Sequence, residues 1–217
     1  MTDASPFLSQ FRRALVLCAH TDDEFGCAGT ILRLVASGVD VHYVALSACE
    51  ASVPAGLPSD VLVTECRACT AALGIPPENV RIDAFEVRHF PRDRQEILER
   101  FVALNRDLEP DLVLLPASTD THQDHSVVSQ EGFRAFKGAS MLGYELPQNL
   151  ASFQNTAFVH HDEAVLVAKM AALRCYRSQA FRPYSTEAFV RGLAVVRGVQ
   201  SRGAFAEAFE LVRLVVP

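Results

Sequence analysis

The sequence predicts an α/β fold, a Rossmann-like three-layer domain with a mostly parallel sheet. Short apolar runs alternate with amphipathic stretches of helical length, the pattern of a sheet covered by helices on both faces. Residues 14–19 are continuously apolar, as in a strand buried on both sides. Polar clusters directly follow two of the predicted strands, where the crevice of such a sheet lies.

The first half of the chain alternates strand and helix patterns. After the strand at 14–19, residues 28–37 carry apolar side chains at helical spacing, and Gly38 ends that helix. Residues 39–46, rich in β-branched side chains, predict the next strand. Residues 47–59 contain two prolines and a glycine, which predicts a surface loop near the crevice.

The remaining elements follow from the same patterns. Helices are predicted at 60–73 (capped by Asp60 and stopped by Gly74), 93–108, 126–137, 163–176 (capped by Asp162) and 186–196. Strands are predicted at 80–82, 111–116 and 141–146, with a loop over 143–158. Residues 204–215 fit a helix or a strand equally well.

Composition bounds the class of protein. The 217 residues suit a single domain over 1–217, and 49% hydrophobic with 21% charged residues is a globular balance. A net charge of −6 without basic clusters argues against a nucleic-acid partner. No apolar run approaches the roughly 20 residues of a membrane span, and residues 1–6 do not resemble a signal peptide. We therefore expect a cytoplasmic protein, and such an apolar chain is compatible with a homo-oligomer.

Cysteines and isolated histidines have simple structural interpretations. The six cysteines lie mostly inside apolar elements, as reduced, buried thiols do. Cys66 and Cys69 have CxxC spacing, but they lie in mid-helix without a second pair. We interpret four further histidines as structural or surface residues: His42, His89, His160 and His161.

Two clusters, at residues 19–24 and 122–125, predict a metal site. His20 and Asp23 are three residues apart on a loop that turns into a helix, and His125 is a third candidate ligand. Two imidazoles and one carboxylate leave positions for water, which distinguishes a catalytic site from a closed structural one. Zinc fits this set, and so does ferrous iron.

The remaining polar residues of the clusters suit proton transfer. Asp22 adjoins a ligand and can accept a proton from an attacking water. His122 can stabilise an oxyanion and protonate a leaving amine, and Asp124 can fix an imidazole tautomer. Glu24 is expected to be a loop carboxylate that complements a helix N-terminus. A Lewis acid, a base and an acid together suit the hydrolysis of an amide.

These residues resemble a known family. Ala-His-Thr-Asp-Asp-Glu at 19–24 resembles the AHPDDE signature of the PIG-L/LmbE-like metal-dependent de-N-acetylases, and His-Gln-Asp-His at 122–125 resembles their HPDH signature. Glu65 and Leu73-Gly74 match a characteristic helix and its stop, and residues 206–210 are similar to an AExF segment. The resemblance covers most of the chain.

The resemblance implies a Rossmann-like enzyme, usually with zinc, that removes an acyl group from the nitrogen of an N-acetylated sugar or glycoconjugate. It implies the following roles: His20, Asp23 and His125 as metal ligands, Asp22 as general base, His122 as acid or oxyanion group, and Asp124 as the residue orienting His122. Thr21 and Gln123 replace the two motif prolines, which removes no ligand. Leu62 stands where many members carry an arginine, and Arg67, further along the helix, is the candidate substitute.

The sequence thus predicts a zinc-dependent N-deacetylase acting on a small N-acetylated sugar or conjugate. An amidase with a non-sugar substrate is the nearest alternative. A non-haem iron oxygenase could use the same ligand set, but those sites usually have HxD spacing on an all-β fold, whereas the spacing here is HxxD. A non-enzymatic binding protein is the remaining alternative, and the complete set of candidate catalytic residues argues against it.

Overall fold

The computed structural model describes residues 7–216 of the chain. The segment 1–6, which we expect not to be a signal peptide, lies outside the described residues. Seven strands form one sheet in the order β3-β2-β1-β4-β5-β7-β6. Their bounds are Arg13–Cys18 (β1), Asp40–Ala45 (β2), Val80–Ile82 (β3), Leu112–Pro116 (β4), Ser140–Tyr144 (β5), Ala157–His161 (β6) and Phe205–Arg213 (β7).

Helices cover both faces of the sheet. Their bounds are Ala28–Ala36 (α1), Val61–Ala72 (α2), Arg94–Leu108 (α3), Gln123–Ala135 (α4), Glu163–Leu173 (α5) and Glu187–Gln200 (α6). Helices α3 and α4 pack together, while α5 contacts α1, α2 and α6. Within residues 7–216, no helix combines the length and apolar character that crossing a membrane requires.

Five strands are parallel, which confirms the predicted fold class. Strand β1 pairs in parallel with β2 on one side and with β4 on the other. The sheet then continues outward to β3 and to β5, also in parallel. The strand order therefore reverses between β1 and β4, and ligands of such sheets bind outside the carboxyl ends of the strands at that point.

The core consists of two apolar layers, one on each face of the sheet. Val16 and Cys18 of β1 point into one layer, and Leu15 and Leu17 point into the other. All four are fully buried. This two-sided burial explains why β1 is a continuous apolar run rather than an alternating one.

The antiparallel edge of the sheet differs from the sequence prediction. Strand β6 falls within and just beyond the predicted loop 143–158 and was not expected. Strand β7 resolves the ambiguous segment 204–215, because it pairs antiparallel with both β5 and β6. Two helices also end at residues other than those predicted. Helix α5 ends at Leu173 rather than at residue 176, and α6 continues to Gln200 rather than ending at residue 196.

Helix α4 begins at Gln123, three residues earlier than the sequence pattern indicated. The reason is its N-cap, His122, whose Nδ1 accepts a hydrogen bond from the Asp124 backbone N–H. The second polar cluster therefore forms the first turn of a helix rather than a loop ahead of it.

A buried carboxylate joins β7 to the start of α1. Glu207 accepts hydrogen bonds from the backbone N–H groups of Gly29 and Thr30 at 2.8 and 2.7 Å, and from the Thr30 hydroxyl at 2.6 Å. The Lys169 ammonium donates to the same carboxylate at 2.7 Å. Burial opposes ionisation, but Lys169 and His161 hold the pKa of Glu207 well below its ordinary value.

This arrangement predicts a large effect of Glu207→Gln on stability. The variant leaves the buried Lys169 ammonium without its carboxylate, which costs about 3–5 kcal/mol. Folding lowers the pKa of Glu207, so ionised Glu207 contributes to the free energy of unfolding. This contribution is complete above the pKa that Glu207 has in the unfolded chain, and it is lost as the pH falls toward the lower pKa of the folded protein. Urea unfolding should show that the free energy of unfolding of the wild type exceeds that of Glu207→Gln at neutral pH. This difference should become smaller in acid.

Glu163→Gln is the matched control, since Glu163 pairs with Arg191 on the exposed surface. Its unfolding midpoint should stay close to that of the wild type. Equal losses in the two variants would contradict the role assigned to the Glu207 network.

Candidate metal centre

Three side chains from the two clusters converge beyond the carboxyl ends of β1 and β4. His20 Nδ1 lies 3.0 Å from His125 Nε2, although the two residues are 105 positions apart. Asp23 Oδ1 lies 3.6 Å from His20 Nδ1 and 3.4 Å from His125 Nε2. All three residues are buried. The pairing of β1 with β4 therefore brings the predicted ligands together.

Each imidazole is held by a carboxylate on its other nitrogen. His20 Nε2 lies 3.0 Å from Asp124 Oδ2, and His125 Nδ1 lies 2.7 Å from Asp120 Oδ2. An N–H donated to a carboxylate on one side leaves the opposite nitrogen as a lone pair, which is the usual arrangement of metal-ligating histidines. The lone pairs of His20 and His125 then face each other and Asp23.

The donor set fits a divalent cation. Ligand atoms about 2.0–2.1 Å from a tetrahedral ion lie about 3.3 Å apart, and the three distances between Asp23, His20 and His125 are of this size. The two imidazoles hold the pKa of Asp23 well below its ordinary value despite burial, so its carboxylate is ionised. These residues supply three ligands and leave room for water.

Without a cation, the two imidazoles favour protonation. Burial by itself lowers the pKa of His20, but Asp23 and Asp124 outweigh burial and raise this pKa to about 9. In the same way, Asp23 and Asp120 raise the pKa of His125 to about 10 against the effect of burial. The carboxylates of Asp23, Asp120 and Asp124 thus favour positive charge at the two imidazoles. A bound divalent cation would supply positive charge at the same place.

His122 lies close enough to His20 and His125 to be a candidate ligand as well. The histidines His20, His122 and His125 each offer a nitrogen, these atoms lie within 4.8 Å of one another, and the three could also hold a metal ion. Because His122 Nδ1 accepts the Asp124 N–H, Nε2 carries the proton of the neutral ring. Burial, His125 and His20 lower the pKa of His122, which favours this neutral form.

Asp124 has a different partner from the one implied by the family resemblance. Its carboxylate orients the His20 ring across the crevice. The same carboxylate accepts backbone N–H bonds from Arg88 at 2.6 Å and from Phe90 at 3.3 Å. The expectation that Asp124 fixes an imidazole tautomer therefore applies to His20 rather than to His122, to which Asp124 donates its backbone N–H.

Asp120 was missed by the sequence analysis. Its Oδ1 accepts the His122 backbone N–H at 2.8 Å, while its Oδ2 orients His125. The sequence signal is an aspartate two residues before a helix N-cap, a spacing at which Asp side chains bond to the backbone. That signal indicates a turn and does not by itself reveal the contact with His125.

A crevice of about 220 Å³ opens over this centre, and Asp22, His122 and Arg88 are among its lining residues. Asp22 is half-buried. Burial, followed by the negative charge of Asp23, raises the pKa of Asp22 above its ordinary value. A carboxylate with a raised pKa is a stronger base, which suits proton abstraction from water.

Glu24 lies in the first turn of a short 3-10 helix, Asp23–Gly26, but it is not the loop carboxylate that the sequence suggests. It is fully buried, and its carboxylate accepts hydrogen bonds from the hydroxyls of Tyr43, at 3.0 Å, and Tyr176. The Thr21 carbonyl oxygen also lies within hydrogen-bond distance of both hydroxyls, so the single proton of each hydroxyl is shared between two acceptors. Because transfer of the carboxylate from water is costly, burial raises the pKa of Glu24 to about 7. Glu24 thus connects the loop at residues 19–24, which carries His20 and Asp23, to β2 and to the segment after α5.

The crevice has no arginine on α2. Leu62 lines it, whereas Arg67 is exposed on the outer side of that helix, so Arg67 does not substitute for the arginine of many family members. Glu65, one turn after Leu62, accepts hydrogen bonds from the backbone N–H and hydroxyl of Ser178 at 2.9 and 2.6 Å. Two other arginines line the crevice, Arg88 and Arg182.

Loops predicted near the crevice contribute to its walls. Cys49 and Ser52 come from the loop after β2, and Gln148 and Asn149 from the segment after β5. Tyr144, at the end of β5, is buried in the core, where its hydroxyl donates to the Leu17 carbonyl oxygen.

A family model described as PIG-L, GlcNAc-PI de-N-acetylase, matches residues 15–136, more than half of the chain. These residues include both polar clusters. No match was found among curated proteins.

Solved structures share the fold. The chain is similar to N,N'-diacetylchitobiose deacetylase from Pyrococcus horikoshii, with 19% identity, 96% of this chain and 86% of that chain covered, and a TM-score of 0.77. It is similar to GalB, the 4-carboxy-2-hydroxymuconate hydratase from Pseudomonas putida, with 21% identity, 95% and 98% coverage, and a TM-score of 0.76. A zinc-inhibited form of teicoplanin deacetylase Orf2 has 14% identity, 91% and 96% coverage, and a TM-score of 0.72.

The contact between Asp120 and His125 predicts an effect on metal affinity. Asp120→Asn weakens the hold on the His125 tautomer, so zinc affinity should fall roughly 10–100-fold. Competition with a chromogenic chelator measures this change. Asp83→Asn is the control, because Asp83 pairs with Arg100 and does not line the crevice. Equal zinc affinities in the wild type and Asp120→Asn would contradict the proposed support.

The raised pKa values of His20 and His125 predict proton release on metal binding. At pH 7, zinc should displace about one or two protons per ion, and its affinity should fall as the pH decreases. Calorimetric titrations in buffers of different ionisation enthalpy count the protons. A binding enthalpy independent of the buffer would contradict this account.

Proposed function

Because this chain belongs to the PIG-L family of GlcNAc-PI de-N-acetylases, we propose that it is a zinc-dependent hydrolase that removes the acetyl group from an N-acetylated sugar or glycoconjugate. The observation that carries the proposal is the convergence of His20, Asp23 and His125 at the base of a crevice that also contains Asp22 and His122. Two deacetylases with the same fold support it.

His20 Nδ1, His125 Nε2 and the Asp23 carboxylate would hold the metal. When bound, a divalent cation polarises an amide carbonyl and lowers the pKa of water. The buried carboxylates Asp120 and Asp124 hold the two imidazoles in the tautomers that binding requires. This chain therefore supplies both the ligands and the groups that orient them.

Asp22 is the proposed base. It accepts a proton from the attacking water while the water oxygen forms a bond to the amide carbon. Its raised pKa brings its basicity closer to that needed for this transfer. A proton gained here must later reach solvent or the amine, and the open crevice gives Asp22 access to both.

His122 is the proposed donor. The neutral ring carries its proton on Nε2, which can donate a hydrogen bond to the oxygen that gains charge during the attack. When the carbon–nitrogen bond breaks, the proton that Asp22 took from the water passes to the leaving amine, which returns Asp22 to its carboxylate form. The lowered pKa of His122 keeps the ring neutral, so Nε2 retains its proton and acts as a hydrogen-bond donor to the oxyanion.

The fold alone does not determine the reaction, because a hydratase shares it. Release of a free amine and acetate distinguishes deacetylation from hydration, which releases neither. Deacetylation also proceeds without oxygen, unlike an iron oxygenase reaction. An assay on N-acetylglucosamine compounds, run anaerobically with one equivalent of zinc, therefore tests the proposal. Zinc is kept at one equivalent because one of the similar structures is a zinc-inhibited form of a deacetylase.

The assigned roles predict opposite outcomes for two classes of variant. Asp22→Ala and His122→Ala should retain zinc yet lose roughly 10²–10⁴-fold in turnover. Asp23→Ala and His125→Ala should lose zinc itself, because each removes a ligand. Mass spectrometric metal analysis beside the amine-release assay separates the two classes.

Asp107→Ala removes an exposed carboxylate of α3 and serves as the control, with unchanged zinc content and turnover. Near-normal turnover of zinc-loaded Asp22→Ala would show that Asp22 is not the base. Loss of zinc from His122→Ala but not from Asp23→Ala would instead indicate a site of three imidazoles.

A further inference from the structure

We propose that the crevice is specific for substrates carrying an anionic group, a carboxylate or a phosphate, which Arg88 and Arg182 bind. The inference rests on the proposed deacetylase function and names the substrate class of that same site. It depends on two guanidinium groups, from different parts of the chain, that line the crevice over the candidate metal centre.

Each guanidinium forms its side-chain hydrogen bonds with uncharged partners. Arg182 Nε donates to the Gln179 side-chain oxygen at 2.7 Å, and an Arg88 terminal nitrogen donates to the Ser52 hydroxyl at 3.3 Å. Within residues 7–216, neither arginine lies within ion-pair distance of a carboxylate. Burial and Asp23 raise the pKa of Asp22, and the positive charge of Arg182 acts against them, so Arg182 also influences the proposed base. Arginine presents five N–H donors, so most of the donors of both residues stay available to a ligand.

The fold holds Arg88 in its position. Its φ of +72° is in the left-handed region, which is unfavourable for a residue with a side chain. The Asp124 carboxylate stabilises this conformation by accepting the Arg88 N–H at 2.6 Å. Since Asp124 also orients His20, one buried carboxylate fixes both a metal ligand and the backbone from which the Arg88 side chain extends.

A series of hydrogen bonds holds Arg182. Glu65 on α2 binds Ser178, the Gln179 amide donates to the Ser178 hydroxyl at 3.1 Å, and the Gln179 oxygen accepts from Arg182. The Arg182 guanidinium also lies 5.8 Å from the ring centre of Tyr184, which lines the crevice. These contacts limit the conformational entropy that Arg182 would lose on binding a ligand.

The other wall of the crevice makes these arginines more important. Leu62 gives an apolar surface where many family members have an arginine, so in the described part of the chain the arginines of the crevice come from positions 88 and 182. Guanidinium groups bind carboxylates and phosphates through paired hydrogen bonds. Both anions share this chemistry, and the test below includes each of them.

The experiment compares three probes: the methyl glycoside of N-acetylglucosamine, its carboxymethyl glycoside, and N-acetylglucosamine 1-phosphate. The wild type should favour at least one anionic probe over the neutral one by roughly tenfold or more in kcat/KM. Arg88→Gln and Arg182→Gln should each lose roughly that factor on the anionic probe, mainly through KM, and little on the neutral one.

Arg177→Gln is the matched control. Arg177 lies in the same segment as Arg182, but it is exposed and does not line the crevice, so its variant should behave as the wild type on all probes. Equal kcat/KM values of the wild type for neutral and anionic probes would overturn the proposal. So would equal losses on both probe types in Arg182→Gln, because this result indicates an effect on Asp22 alone.

Binding measurements separate this inference from the proposed function. If no probe releases an amine, the deacetylase proposal fails, while calorimetry on the zinc-loaded protein still tests the arginines. Glucosamine 1-phosphate and the carboxymethyl glycoside of glucosamine are the ligands, with methyl glucosaminide as the neutral reference. The inference predicts that one anion binds the wild type roughly tenfold more tightly than it binds either variant. Equal binding would show that the anion contacts only the metal, and would refute it.

Discussion

The site depends on the pairing of β1 with β4. This pairing places His20 Nδ1 and His125 Nε2 3.0 Å apart at the point where the strand order reverses. Each imidazole is then fixed by a carboxylate on its far side, and Asp23 faces both near sides. So many buried carboxylates are costly unless positive charge lies beside them, and a divalent cation offsets two of the three negative charges.

Buried carboxylates also assemble the walls of the crevice. Glu24 joins the ligand loop to Tyr43 and Tyr176, and Glu65 joins α2 to the segment after α5. Asp124 connects His20 with the segment at Arg88. Each contact joins parts of the chain that are distant in sequence, which fixes loops that apolar packing alone would leave less specific. The geometry of the crevice is therefore coupled to that of the metal centre.

The sequence predicted the parallel half of the fold well, because buried strands and amphipathic helices have clear local patterns. It did not reveal β6, a short strand at the sheet edge that pairs only with β7, or the strand conformation of β7. Pairing between distant segments decides both elements, and no local pattern encodes it.

Within the site, residue types and spacing predicted which side chains come together, but not the partner of each carboxylate. Asp124 reaches His20 rather than His122, and Asp120 was not identified. Both results depend on helix α4 beginning at Gln123, which directs the Asp124 carboxylate across the crevice. Arg88 and Arg182 were also missed, because their places in the crevice arise from long-range hydrogen bonds to Asp124 and through Ser178 to Glu65.

The most direct test is anomalous diffraction at the zinc edge from crystals grown with one equivalent of zinc. The account predicts one strong peak, about 2.0–2.2 Å from His20 Nδ1, His125 Nε2 and a carboxylate oxygen of Asp23. A peak coordinated by His122 in place of Asp23, or zinc bound only outside the crevice, would contradict the central claim.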